Sequence, residues 1–512
     1  MKEYRLLNII TALLLALLVL SSCTQNLPVA VQPEPPEAPE GTLHIAYCAS
    51  DSLNPFFCEG EDNALLWPLA FLPLYELDEN FTPQPVLADS MVQMGNYAEL
   101  TLQSNIMTAA GASMSIADVL YSFRLAKESP AYKAQLSSVT DIAIGATADV
   151  IRLTLKEPNI HVCSLLTFPI VQYGTADSAD DLPVGAGPYT YSETDEGISM
   201  YYNPNYYNGT VRTAQITLVD ASADASKAFS LKSERIDCTF NNLADGEVFR
   251  LSAGAYPIPM TNLVFLGVNS ENAYLQEASI RQALSYMLDR QAIAEHAFCG
   301  YAQPTSLPVH PAWSALQTET VSDSVTADLQ AAITLLNPNE SSELSGNTPT
   351  AIFTDNTTRF SLRLVCCAGN AFKTDTAAQI KEQLSEAGIT VQIAELEEEA
   401  YFEAVQNGEY DLYLGEVKLT ADMDLSVFLN YGNALGWGID NDSITCTALW
   451  QDYREGAITL GAFLSVFAGE MPFIPLCFRQ GIFYTSRTLV NEIVSRPENL
   501  FANIYVWEKE EN

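Results

Sequence analysis

The sequence predicts an α/β protein built in two lobes, and three observations predict it. Short strand patterns, alternating or continuously apolar, are interleaved with helical ones. That alternation runs from residue 41 to about 260 and starts afresh at residue 262. The chain, at 512 residues and 48% hydrophobic, is long enough to bury more than one core.

In chain order, Lys2 and Arg5 precede the apolar run Leu13–Leu20, which ends on Ser21, Ser22 and Cys23. The run is short of the roughly 20 apolar residues a spanning helix needs. Basic start, apolar middle and small-residue end are instead the layout of an export signal. The proline-rich stretch that follows, "TQNLPVAVQPEPPEAPEG", reads as an extended spacer. "GTLHIAYC" is the first strand. "SIADVLYSFRLAKE" is a helix with Ile116, Val119, Leu120 and Phe123 on one face, and Ser115 with Asp118 has capping-box spacing. "DVIRLTL", "ISMYY" and "QITLVD" are strands, the second ending at an Asn-Pro turn, and "ADASKAFSLKS" is helical. From residue 262, "NLVFLGVN" is an apolar strand. "SIRQALSYMLDRQAIAEHAF" reads as one amphipathic helix, capped by Ser279 with Gln282 and packed through Ile280, Leu284, Met287 and Leu288. "RFSLRLVCCA", "TDTAAQIKEQLSEAG" and "ITVQIAEL" form a β-α-β unit with Gly388 at the helix C-cap. No fixed-period repeat is present.

Acids outnumber bases 63 to 24, for a formal charge of −39. Such a field repels phosphate backbones, so no nucleic-acid partner is expected, nor is the folded part expected to cling to an anionic membrane surface by charge. Apart from "ELEEEAYFE" the acids are dispersed, as on a solvated surface. Of the ten cysteines, Cys48 and Cys58 flank one loop and are candidates to pair; Cys366 and Cys367 read as ordinary thiols in a strand. His44 reads as structural. His161 with Cys163, and His296 with Cys299, lack the second pair a zinc site requires, so no metal or cofactor is expected. Neither a nucleophile elbow nor a Walker loop occurs. "LPVGAGPY" has a Gly-x-Gly, but Pro188 follows and no helix opens, so a tight turn is expected. Asp422 and Asp424 flank Met423; on a strand they would face opposite ways, so paired acid catalysis is not implied. No enzyme is expected.

Several motifs together resemble the extracellular solute-binding proteins of ABC importers, of the dipeptide, oligopeptide and nickel type. They are "YELDENFTPQPVLADS", "MSIADVLYSF", "PVGAGPYTY", "NPNYYNG", "IRQALSYMLDRQAI" with "GYAQPTSLPVHP", "QLSEAGITVQI", "GEYDLYLGE" and "MPFIPLCF". They fall in the family's order across residues 41–485, with Ala186 and Tyr207 replacing the family's Thr and Trp.

The resemblance implies a periplasmic-binding-protein-like fold with a discontinuous first lobe and a two-strand hinge. Its boundaries would be a signal at 1–22, a lipidated Cys23 and linker at 23–41, lobe I at 42–264 with a subdomain inserted at about 71–180, lobe II at 265–471, and a return to lobe I at 472–512. It implies a lipid anchor through Cys23, because "LSSC" fits the lipobox, and residence on the outer face of the bacterial membrane. A short peptide or other small solute and a membrane ABC permease are the implied partners, with the protein a monomer. Asp422 aligns best with the family aspartate that meets a peptide's α-amino group, and Asp424 next. Trp437, Asn54 and Phe56 are the other ligand candidates. The alternatives are a signalling or adhesion lipoprotein on the same fold, an exported hydrolase, and a nickel-chelate or sugar ligand.

Overall fold

Branched and aromatic side chains at alternating positions favour a pleated strand with one face buried. Leu43 and Ile45 meet that description in the first strand, β1 (Glu40–Tyr47). The structure is a computed structural model that describes residues 40–510 except 196, 210, 222–226, 252–253, 337–360 and 430–444. Cys23, the expected signal and most of the linker lie outside the described residues, as does Trp437.

One mixed sheet carries the molecule. After β1 come β2 (Tyr189–Thr194), β3 (Gly197–Tyr202), β4 (Thr213–Asp220), β5 (Cys238–Asn241) and β6 (Gly254–Val268). Then follow β7 (Ala302–Pro304), β8 (Ser361–Cys367), β9 (Thr390–Leu396), β10 (Leu412–Lys418) and β11 (Phe473–Thr485). Their order is β2-β3-β4-β1-β5-β11-β6-β10-β8-β9, with β7 on β11. β1 is parallel to β4 and β5, and β8 is parallel to β9 and β10, as helix-linked crossovers require. At the centre the two long strands β6 and β11 pair antiparallel from Gly254↔Thr485 to Gly267↔Phe473, with an irregularity between Pro259 and Asn262.

Two hydrophobic cores lie along this sheet. The first gathers Leu43, Ile45, Phe71, Tyr189, Ile216 and the C-terminal Phe501 and Trp507. The second gathers Leu263–Val268, the helix of the β-α-β unit (Ala371–Glu386) and residues 473–478. β6 and β11 contribute to both, through Ile258 and Phe483 to the first and Val264 and Leu476 to the second. A four-stranded antiparallel sheet, ordered 88–94, 97–102, 150–155 and 139–144, adds its Leu100 and Leu153 to the first core.

Local readings hold in most elements. Helix Ile116–Glu128 starts with a true capping box, Ser115 N–H donating to Asp118 Oδ2 at 2.8 Å. The β-α-β unit forms as read, with Gly388 at φ +85° just past the helix. Two readings are corrected. The single helix expected over 279–298 is two, Ala278–Tyr286 and Arg290–His296, because Asp289 restarts the chain by accepting from Ala292 N–H at 2.9 Å. The first of these begins at Ala278, so Ser279 is inside the helix and not its cap, while Gln282 donates to the Gly469 carbonyl. Gly185 and Gly187 lie at a bend over residues 186–188 from which, as expected, no helix opens. Neither has positive φ; a Cβ on Gly187 would lie 2.4 Å from the Ala70 carbonyl carbon, so glycine is needed there for close approach.

Candidate functional site

The two cores meet where the loop after Val150–Leu155 reaches the turn at 420–425 and helix Cys446–Arg454. Asn159 Nδ2 donates to Asp422 Oδ2 at 2.9 Å, and Ile160 N–H donates to the Arg454 carbonyl at 2.9 Å. The His161 Nε2 and Tyr453 hydroxyl are 2.6 Å apart, and the imidazole lies on Trp313 with ring centres 4.8 Å apart. Burial and the nearby Arg454 pull the His161 pKa down to about 4, so the ring is neutral at physiological pH.

The centre of this junction is a three-charge cluster. Arg454, 10% exposed in its side chain, reaches Asp422 Oδ2 at 3.2 Å and Asp424 Oδ2 at 2.6 Å. The expectation that the two aspartates face apart is overturned. They stand in a turn, not a strand, and Met423 at φ +55° rotates the chain so that both carboxylates converge on one guanidinium. Asp422 also accepts from the Thr420 hydroxyl at 2.5 Å. Asp424 accepts from Ser426 N–H at 2.9 Å and Trp450 Nε1 at 3.2 Å. Burial pushes the Asp422 pKa up against the opposing pull of Arg454. For Asp424, burial is outweighed by Arg454 and the Ser426 and Trp450 donors, and its pKa lies below the ordinary value. With both carboxylates ionised, the single guanidinium leaves one negative charge in the cluster. Asp422 is closed over, with a side chain 2% exposed, whereas Asp424 is 25% exposed.

Asn54 and Phe56 are brought to the first core. Asn54 is fully buried, with its amide on the carbonyls of Ala176 at 3.3 Å and Ser178 at 2.9 Å, and so pins the first loop to the 176–178 segment. Phe56 packs edge-on against Tyr132, ring centres 6.1 Å apart. In this conformation both hold the loop's shape and neither is open to a ligand. Cys48 and Cys58 are free thiols, as are the other described cysteines. His44 backbone N–H donates to Asp237 Oδ2 at 2.7 Å. Among the described residues no His, Cys, Asp and Glu group has the makings of a metal site.

Arg454, Asn159, Tyr453 and Trp313 are junction residues missed from sequence, and His161 was weighed only as a metal ligand. For Arg454 a signal was present: with Trp450 and Tyr453 it occupies the i, i+3, i+4 stripe of a helix face. A cation on an apolar stripe in an acid-rich chain asks for a buried carboxylate partner.

A second polar cluster sits at the irregularity between β6 and β11. Glu416 on β10 takes Arg479 Nε at 2.7 Å, Asn262 Nδ2 at 2.9 Å and the Lys373 ammonium. Burial alone would raise its pKa, but Lys373 and Arg479 outweigh it and hold it at about 2.

Residues 82–437 match the family model described as bacterial extracellular solute-binding proteins, family 5 Middle. Protein XP55 of Streptomyces lividans is 24% identical over 429 residues, 79% of this chain and 75% of that protein. Among solved structures, the unliganded open form of the periplasmic murein tripeptide binding protein MppA superposes with TM-score 0.74 at 16% identity, covering 92% of this chain and 98% of that one. A nickel ABC transporter structure from Bacillus halodurans gives 0.72 at 19% identity over 90% and 98%.

Proposed function

The chain belongs to the bacterial extracellular solute-binding proteins of family 5, the two-lobed receptors of ABC importers, and we propose that its cargo is a short peptide held by its ammonium terminus. The observation that carries this reading is the residual negative charge of the Asp422–Arg454–Asp424 cluster at the junction of the two cores. An ammonium brought against a half-desolvated carboxylate makes a strong, directional contact. Arg454 holds both carboxylates in place beforehand, so little ordering is left for the ligand to drive. Asp424 is the better anchor of the pair, because Asp422 is enclosed by Asn159, Thr420 and Arg454. Trp437 is proposed as an apolar wall of the same site.

In this reading the peptide bridges the lobes, β6 and β11 bend at the Pro259–Asn262 irregularity, and the closed form engages a permease. Cys23 is proposed as the lipid attachment point that keeps the monomeric receptor at the outer membrane face, with the proline-rich run as its tether.

Calorimetric titration with a pool of tri- to pentapeptides tests the cargo. Peptides with a free terminus are expected to bind, and N-acetylation to weaken binding tenfold or more, about 1.4 kcal/mol. Asp424→Asn should cost a similar factor for the free peptides and nothing for the acetylated ones. Equal binding of acetylated and free peptides removes the ammonium anchor; binding of a nickel chelate or sugar with no peptide binding removes the peptide.

A further inference from the structure

Three cations gather at the edge of the second core with a single carboxylate, Glu234, beside them. Lys232 ends helix Lys227–Lys232, Arg250 stands shortly before β6, and Arg487 follows β11. The sheet brings them together. Gly254 at the start of β6 is in register with Thr485 at the end of β11, and Thr485 is in register with Cys238 at the start of β5, shortly after the helix. All three line one cavity of about 220 Å³ with Leu231, Leu251 and the buried Ser486. Glu234 also borders it, so the rim holds three cations against one carboxylate.

This arrangement is unexpected for the chain. With 63 acids to 24 bases, three cations against one carboxylate in one cavity invert the balance of the chain. Among the described residues Lys232, Arg250 and Arg487 have no side-chain hydrogen-bond or ion-pair partner, although like charges in one pocket repel. The acidic field of the rest of the molecule does not forbid an anion here, since exposed charges more than about 8–10 Å away are screened at physiological salt.

We propose that this cavity is an anion site, separate from the solute cleft, that takes a phosphate or phosphate-monoester or -diester group. Two guanidinium groups, planar forks of N–H donors, and an ammonium suit the several acceptor oxygens of a phosphoryl group. The cavity, at about 220 Å³, admits a group of that size. The phosphoryl group has two sources, a free anion or the headgroup of an anionic lipid in the membrane beside which a family-5 receptor works.

The test uses the full chain and the double variant Arg250→Gln/Arg487→Gln. Both residues are exposed, so melting temperature and peptide affinity should stay at wild-type values. Inorganic phosphate is titrated at low ionic strength and followed by phosphorus NMR. Saturable binding, weakened at least tenfold in the variant, is expected. In a second arm, sedimentation with phosphatidylcholine vesicles is compared with and without phosphatidylglycerol; any N-terminal anchoring contributes to both compositions alike. A phosphatidylglycerol-dependent gain that the variant loses assigns the lipid headgroup; saturable phosphate binding without that gain assigns the free anion. Absence of both, or binding that the variant leaves unchanged, overturns the site, and peptide binding, measured in parallel, is unaffected by that outcome.

Discussion

Arg454 is the residue on which the junction depends, because Asp422 is buried and would be left charged without it. Replacement of one partner in a buried pair costs about 3–5 kcal/mol. Arg454→Met is therefore expected to lower the denaturant midpoint sharply. Asp422→Asn/Arg454→Met should recover part of the loss, since the pair is then removed together; no recovery in the double variant would mean that the ion pair is not what Arg454 supplies. Gly187 is a steric case. A methyl there meets the Ala70–Phe71 backbone, and overpacking of this kind costs about 1–3 kcal/mol. Gly469, in helix Leu460–Glu470, has nothing within 4 Å of its would-be Cβ, so Gly469→Ala should be neutral or stabilising by up to about 1 kcal/mol. Urea unfolding of the two variants separates them. The need for glycine in "PVGAGPY" was visible in the sequence, but its cause was not. Only the fold shows that Gly187 N–H reaches the Ala70 carbonyl at 2.9 Å and that Asn203 of "NPNYYNG" binds the Gly187 carbonyl at 2.8 Å.

At the scale of elements, periodicity and capping were legible, and the stopping points less so. Asp118 closes the box of helix Ile116–Glu128 and also accepts from Tyr173 N–H at 2.7 Å. Asp118→Ala should thus cost more than the roughly 1 kcal/mol of an ordinary cap, measured by denaturation against Ser115→Ala. The split at Asp289 escaped the pattern because both helices keep their apolar residues in phase with one long helix. Two histidines set the acid response of the elements they join. His310 lies between Phe81 and Phe478, and burial lowers its pKa to about 3, as burial and Arg454 lower that of His161 to about 4. Both are neutral in the fold and ordinary near 6.5 when unfolded, so the unfolded chain binds more protons below that pH. Their contribution is full above about 6.5 and lost as pH falls toward 4 and then 3. Glu416 adds a lower window, with stability present above about 4.5 and lost toward 2. Denaturant midpoints at several pH values should fall between 6.5 and 4, with a shallower slope in His161→Gln and His310→Gln. An unchanged slope in both would exclude the rings as its source.

At the scale of the whole molecule, one sheet spans two cores, and β6 and β11 are the strands that feed both. The Asn159–Asp422 and Ile160–Arg454 bonds join the cores a second time. Asn159→Ala removes one of these contacts and should raise the radius of gyration of the ligand-free protein in solution scattering, with added peptide restoring the smaller value; a radius independent of both leaves closure without a role for this contact. The sequence by itself determined the α/β class, the order of strands and helices, the crossover unit and the family motifs, because period, capping and turn chemistry act over a few residues. Tertiary structure alone decided that Asp422 and Asp424 share Arg454, that Asn54 and Phe56 face a core, and that Lys232, Arg250 and Arg487 meet in one cavity. These depend on partners far apart in the chain, 263 residues for Asn159 and Asp422, and on one backbone angle at Met423. Local patterns state which face of an element is apolar, and only packing states what stands opposite it.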